Sequence, residues 1–379
     1  ACRIYQKMLE ENAGVALTLA GAMTPMGMGG LIAQMIEFGA IDWIISTGAN
    51  VFHDLHFALE LPVHQGSFKV DDRTLKQKNI DRIYDIFLGE EVITRTDCWI
   101  LEAIKPLRGK KLSTAQLHYH LGKCLLEDGF DHKNSFVASA AKYQVPIYTS
   151  SPGDSEIGLN LAYARLVDFE IDLDPIQDVI ETTAIVNGLE KNGVIIVGGG
   201  SPKNFYLQTQ PMLKSGLGID KKGHDYDIQI TVDSPHWGGL SGATPEEAVS
   251  WGKIKPEQLD NSVVVYSDAT LVLPIIFGYA LQTCSQRPHK RIYPQIPELV
   301  KRLKESPVPI YLFHSADSIS RKEVGKILTA YARKVAGRWS ALALAYISDP
   351  AVRQMIREKE LDTCSLEAEL IFEQSDEKK

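Results

Sequence analysis

The chain of 379 residues is poor in cysteine: it has Cys2, Cys98, Cys124, Cys284 and Cys364, and no two form a C-x-x-C pair. That scatter excludes a disulfide framework or a zinc ribbon and predicts reduced thiols. Long apolar runs are missing too. The nearest, Trp339 to Ile347, falls well short of the ~20 residues a bilayer demands, so no membrane partner is expected. An excess of positive charge is also absent. Lys and Arg total 40 against 48 Asp and Glu, a net charge of −8, which argues against a nucleic-acid binder. Internal repeats, low-complexity tracts and a G-x-G-x-x-G fingerprint are lacking as well. Lys7, Glu10 and Glu11 interrupt the opening residues, so a secretory core is not seen there and a cytoplasmic location is expected.

What is present is ordinary globular composition, 44% hydrophobic and 23% charged. Short β-branched runs alternate with helical stretches. Ile41–Ile45, Val145–Thr149, Val194–Val197, Asp227–Val232 and Val263–Tyr266 read as strands. A helix runs to Leu59 after the first; another begins at Pro175, capped by Asp174, and is expected to stop near Asn192-Gly193. Fully apolar strands separated by helices predict an α/β fold, a parallel sheet covered on both faces. Ligands then bind at the carboxyl ends of the strands. The polar and glycine-rich turns all fall there: Ser46–Asn50, Ser150–Asp154, Gly198–Lys203, Asp233–Gly242 and Ser267–Asp268. Beyond about residue 285 the pattern changes. Five prolines between Arg287 and Ile310, a basic helical pattern from Ser320 and a charged tail suggest a helical C-terminal extension, 285–379, on a catalytic domain of 1–284.

Several segments carry possible chemistry. Gly198-Gly199-Gly200, after an apolar strand, either approaches a dinucleotide phosphate or is simply a tight turn; Gly27, Gly29 and Gly30 form a second candidate. His53 and His56 sit three apart on a helix, with His64, His118 and His120 elsewhere, but no third ligand at metal spacing is evident. In the segment from Trp237 to Lys253, Thr244, Pro245 and Glu247 make a capping-box start for a short helix that Trp251-Gly252-Lys253 closes. Lys253 is either an ordinary surface lysine or, flanked by Trp and glycines, a partly dry one. Desolvation frees an amine lone pair for imine chemistry.

The stretch Gly-Ala-Thr-Pro-Glu-Glu-Ala-Val-Ser-Trp-Gly-Lys-Ile (Gly242–Ile254), with Tyr266-Ser267-Asp268-Ala269-Thr270 downstream, resembles deoxyhypusine synthase. Asn192–Gly200 and Ser46–Asp54 follow in the expected order, and the likeness spans roughly residues 15 to 284. The resemblance implies a Rossmann-like NAD-binding fold and homotetramers with active sites between paired subunits. It also implies NAD-dependent transfer of an aminobutyl group from spermidine through a lysine imine. Lys253 matches the imine-forming lysine, and Glu247, Trp251 and Gly238 match substrate-lining positions. Thr47, Gly48, Asp154, Thr231, Asp268 and Ala269 fall on NAD-contacting positions, and Gly198–Gly200 on the turn beside the cofactor.

The departures are equally specific. Phe205 stands where the family is expected to carry a catalytic-site histidine, while Leu240 and either Leu159 or Asn160 replace polyamine-anchoring aspartates. Phe52 and His53 replace paired acids, and only Asp54 is kept. This pattern is similar to the bacterial deoxyhypusine synthase-like branch. It points to a small-molecule acceptor such as putrescine, giving homospermidine. The alternatives are modification of a lysine on the hypusine-bearing translation factor and a catalytically silent NAD-binding assembly protein.

Overall fold

The computed structural model describes residues 1–219 and 221–305. Ala1–Gln210 and Lys222–Val300 form one compact unit. The second comprises Pro211–Lys221 and the residues from Lys301; its described part includes the π-helical turn Met212–Gly216. The basic helical pattern from Ser320 lies outside the described residues, and so does most of 285–379.

Six strands make the main sheet of the first unit: β1 (Gly14–Leu19), β2 (Trp43–Ser46), β3 (Ile147–Thr149), β4 (Asn192–Val197), β5 (Tyr226–Thr231) and β6 (Ser262–Tyr266). Every pairing is parallel and the order is β3-β2-β1-β4-β5-β6. This is the doubly wound Rossmann order, whose direction reverses between β1 and β4. All six residues of β1 and of β4 are buried, because helices cover both faces and leave no solvated side to alternate toward. On one face Tyr5 of α1 (Cys2–Glu10) packs on Phe277 of α9 (Ala269–Thr283), ring centroids 5.7 Å apart. On the other, Trp43 lies 5.4 Å from Tyr206 of α7 (Gly200–Leu207) and 6.5 Å from Tyr148.

Between β1 and β2 runs α2 (Met28–Glu37); α3 (Gly48–Ala58) follows β2; α4 (Phe136–Tyr143) precedes β3 and α5 (Glu156–Leu166) follows it. The helix before β4, α6 (Pro175–Gly188), starts as expected, with the Asp174 side chain accepting from Ile176 N and Gln177 N at 3.1 Å. It ends at Gly188 and not near Asn192-Gly193. Asn192 and Gly193 already pair with Gly14 and Val15 in the sheet, and that ladder overrides the local stop signal. Between β2 and β3 the chain also builds a small antiparallel sheet from Val63–Gln65, Ile86–Gly89 and Ile80–Ile83, with its own cluster of Leu61, Leu88 and Val92.

Candidate active site

The carboxyl ends of the strands carry the turns singled out in the sequence. After β1 the chain is held by Asn50 of α3. Its Oδ1 accepts from Met23 N (2.5 Å) and Thr24 N (3.2 Å), and its Nδ2 donates to Gly21 O (3.2 Å). Thr47 caps α3 through Asn50 N and donates its hydroxyl to Gly21 O at 2.6 Å, so β2's end and β1's loop are one rigid element. Gly48 lies so near Ser155 that a Cβ there would meet Ser155 Oγ at 2.3 Å. Asp154 is exposed at the tip of that turn, and Ser151 Oγ stands 3.2 Å from Ser201 Oγ at the start of α7.

After β4 the backbone turns sharply, with Gly198 at φ +77° and Gly200 at φ +59°, which glycine alone adopts freely. Helix α7 starts here with Gly199 at its N-cap, which has no side chain to cap it, and Gly200 N donates to Ser241 Oγ at 3.1 Å. Gly21, Gly153 and Gly200, at the ends of β1, β3 and β4, all border open space: a Cβ on any of them would find no atom within 4 Å. Glycine backbone bordering open space and the reversal of strand order between β1 and β4 together fit a dinucleotide phosphate. The second glycine turn opens α2, with Gly27 at φ +84°, and lines a separate cavity of ≈ 570 Å³.

After β5, Thr231 Oγ1 accepts from Asp233 N (3.1 Å), and Gly238, at φ +68°, ends the turn Pro235–Trp237. Thr244 Oγ1 then accepts from Glu247 N and starts α8 (Pro245–Ser250), the first half of the expected capping box. Trp251 closes the helix and Gly252 turns the chain at φ +66°. Lys253 is fixed through its backbone: its N–H donates to Ala248 O (2.9 Å) and its carbonyl accepts from His224 N (2.9 Å). The side chain therefore leaves a rigid base. Its Nζ donates to Asn204 Oδ1 at 3.0 Å and lies 5.7 Å from the Trp251 ring centre. Burial pulls the Lys253 pKa below the ordinary lysine value, with the Glu247 carboxylate opposing. Glu247 is exposed. After β6, Asp268 caps α9 by accepting from Thr270 Oγ1 (2.5 Å) and Thr270 N (2.8 Å), which hold its carboxyl below the usual range, and Ala269 opens the helix.

Lys253, Trp251, Glu247 and Gly238 thus gather at the β5 end, with Asp268 and Ala269 beside it. Thr47, Gly48 and Asp154 stand at β2 and β3, across the glycine turn. The group facing the lysine is the Asn204 amide and not Phe205, the next residue along α7. A second set of residues carried a fainter signal. Asp227, Gln229 and Thr231 alternate along the buried strand β5, so their polar side chains share one face, and Lys203 of α7 meets it with Nζ 3.0 Å from Gln229 Oε1.

Among the described residues no group of histidines, cysteines and carboxylates is placed to hold a metal ion. His53 Nδ1 and His56 Nε2 are 3.0 Å apart, and His56 Nδ1 is 2.8 Å from Thr96 Oγ1, whose proton goes to Val92 O. Burial drops their pKa values to about 4 and about 3, so both rings are neutral. Asp54 caps α4, accepting from Ser135 Oγ (2.5 Å), Phe136 N (3.2 Å) and Val137 N (3.1 Å).

The sequence matches the family model for deoxyhypusine synthase over residues 1–280. It is 46% identical over 318 residues to a deoxyhypusine synthase-like protein of Nostoc punctiforme, covering 80% of each chain. A protein named probable deoxyhypusine synthase 2, from Methanosarcina acetivorans, is 45% identical over 273 residues, 72% of this chain and 78% of that one. Among solved structures, one from Entamoeba histolytica assigned as a deoxyhypusine synthase aligns with a TM-score of 0.50 at 17% identity, covering 76% of this chain and 87% of the other. That likeness concerns the fold.

Proposed function

Because the chain belongs to the deoxyhypusine synthase family, a family of transferases, we propose that it moves an aminobutyl group between polyamines through an imine on Lys253, with NAD as a recycled cofactor. The observation that carries this reading is the state of Lys253: one hydrogen-bond acceptor, an aromatic wall and a depressed pKa on a rigid turn. A shift in that direction frees the amine's lone pair at a lower pH than an ordinary lysine requires.

NAD would be held by Gly198–Gly200, Thr47, Gly48, Asp154, Thr231, Asp268 and Ala269, and when bound it supplies a hydride acceptor that later returns the hydride. The chain's own groups do the rest. Glu247 attracts the ammonium end of the amine and Trp251 shields its methylene chain. The neutral Lys253 nitrogen adds to the oxidised donor's C=N carbon, and the C–N bond to the departing diamine breaks as that nitrogen takes a proton. Lys253 is left as the imine of the four-carbon fragment. An acceptor amine then adds to the same carbon and expels Lys253, and the product imine is reduced.

With Leu240 and Leu159 where carboxylates are expected, the site suits a donor or acceptor of lower charge, and putrescine accepting to give homospermidine is the preferred case. The exposed apolar residues Val232, Trp237, Trp251, Tyr266, Leu271 and Ile275 at the β5–β6 end support a homotetramer whose subunits cover this edge. The test is product analysis by mass spectrometry with NAD and isotope-labelled spermidine, offered either putrescine or the hypusine-bearing translation factor. Labelled homospermidine supports the proposal. Label on the translation factor replaces it with protein modification. NAD binding without diaminopropane release makes the chain a silent nucleotide-binding protein.

A further inference from the structure

Lys203 lies one residue before Asn204 and points the other way, into the protein; the whole residue is 3% exposed. Its Nζ meets three acceptors: Gln229 Oε1 at 3.0 Å, Leu240 O at 3.3 Å and Ala243 O at 2.5 Å. Three acceptors and no donor around one nitrogen match an ammonium, which offers three N–H groups, and not a neutral amine, which offers two. Burial pulls the Lys203 pKa down, and Asp227, buried on the same face of β5 and itself pushed up to about 7 by burial, opposes that shift.

The segment so gripped is the one that leads to the reactive lysine. Gln229 Nε2 donates to Ser241 O at 2.7 Å, and Ser241 Oγ accepts from Gly200 N at 3.1 Å. Gly199 is pressed so closely on this segment that a Cβ would come within 2.4 Å of Ser241 Cα. Residues 240–243 are therefore clamped between β5 and the glycine turn. Thr244, the cap of α8, follows at once, and α8 ends at the turn that presents Lys253.

We infer that Lys203 is a positioning residue for this reaction: a buried ammonium that touches no substrate, it locks the Leu240–Ala243 backbone to β5 and the glycine turn and so sets where the Lys253 nitrogen stands relative to the cofactor turn. Since the same short helix, α7, carries Lys203 on one side and Asn204 on the other, a shift of α7 moves the clamp and the lysine's acceptor together. The inference rests on the proposed imine at Lys253.

The test uses the full-length protein with NAD and spermidine, and borohydride as the trap. Wild type, Lys203→Met and Gln229→Met are compared for both the rate and the final extent of adduct formation at Lys253, together with KM for spermidine. Misplacing a reacting group by about 1 Å costs on the order of 10²-fold in rate. Lys203→Met is expected to slow trapping by about that factor, with KM changed by less than about threefold, and Gln229→Met by a lesser factor. If Lys203→Met does not fold, judged by circular dichroism, Gln229→Met decides. A merely structural role would lower the extent, through loss of folded enzyme, and leave the rate per active site unchanged; that result overturns the inference. No adduct in wild type refutes the lysine imine itself, a separate outcome.

Discussion

Asn204→Asp alters the charge of one group 3.0 Å from the Lys253 nitrogen while keeping the side chain's shape. A carboxylate there favours the ammonium and so raises the lysine pKa. The size follows from Coulomb's law. At 3.0 Å a unit pair is worth about 1.4 kcal/mol at a dielectric of ~80 and about 2.8 kcal/mol at ~40, the solvent-screened side of the ~20 typical of pairs near a protein surface. One pKa unit corresponds to about 1.4 kcal/mol, so the expected rise is about one to two units. The neutral fraction of Lys253 at a fixed pH on the acid limb then falls about 10- to 100-fold. The assay is the initial rate of spermidine-derived adduct formation as a function of pH in both proteins. The acid limb should move to higher pH by one to two units, with the alkaline plateau kept within a few-fold. An unmoved limb, or a limb displaced to lower pH, refutes the claim that the lysine titrates against this amide.

Asp54→Ala removes the acceptor of three donors at the buried start of α4, and a loss of about 2–4 kcal/mol is expected in urea unfolding. Asp178 accepts from Thr114 N and Oγ1, both at 2.8 Å, and its pKa is raised by burial to about 7. Its contribution to stability is present below the unfolded value near 4 and lost as pH rises through 7, so wild type should lose on the order of 2 kcal/mol more than Asp178→Asn between pH 4 and 8. His53 and His56, held neutral by burial, should show ring NMR shifts that do not titrate above pH about 5. Gly199→Ala forces a Cβ against Ser241 Cα and should slow trapping at Lys253 without abolishing the fold, checked by melting temperature alongside the rate.

Much of this architecture is legible in the sequence, for a physical reason. A central strand covered on both faces is mostly apolar, so Val194–Val197 announces itself, and helix starts with a capping group, such as Asp174 and Thr244, do the same. The small antiparallel sheet is not legible, because Val63–Gln65 and Ile80–Ile83 are short, half-polar strands stabilised by one another. The stop of α6 is misread since Asn192-Gly193 carries a local turn preference that sheet pairing outweighs. At the site, Lys253 is visible from its neighbours, whereas Asn204 and Lys203 become meaningful only when α7 is seen to face both the lysine and strand β5.

The central claim is that one lysine nitrogen becomes covalently bonded to the substrate carbon. Incubation with NAD and spermidine, reduction with borohydride, and peptide mapping by mass spectrometry should place a single aminobutyl mass addition on Lys253, absent from Lys253→Ala and absent when NAD is omitted. An addition on another residue, or an adduct that persists in Lys253→Ala, would contradict the account.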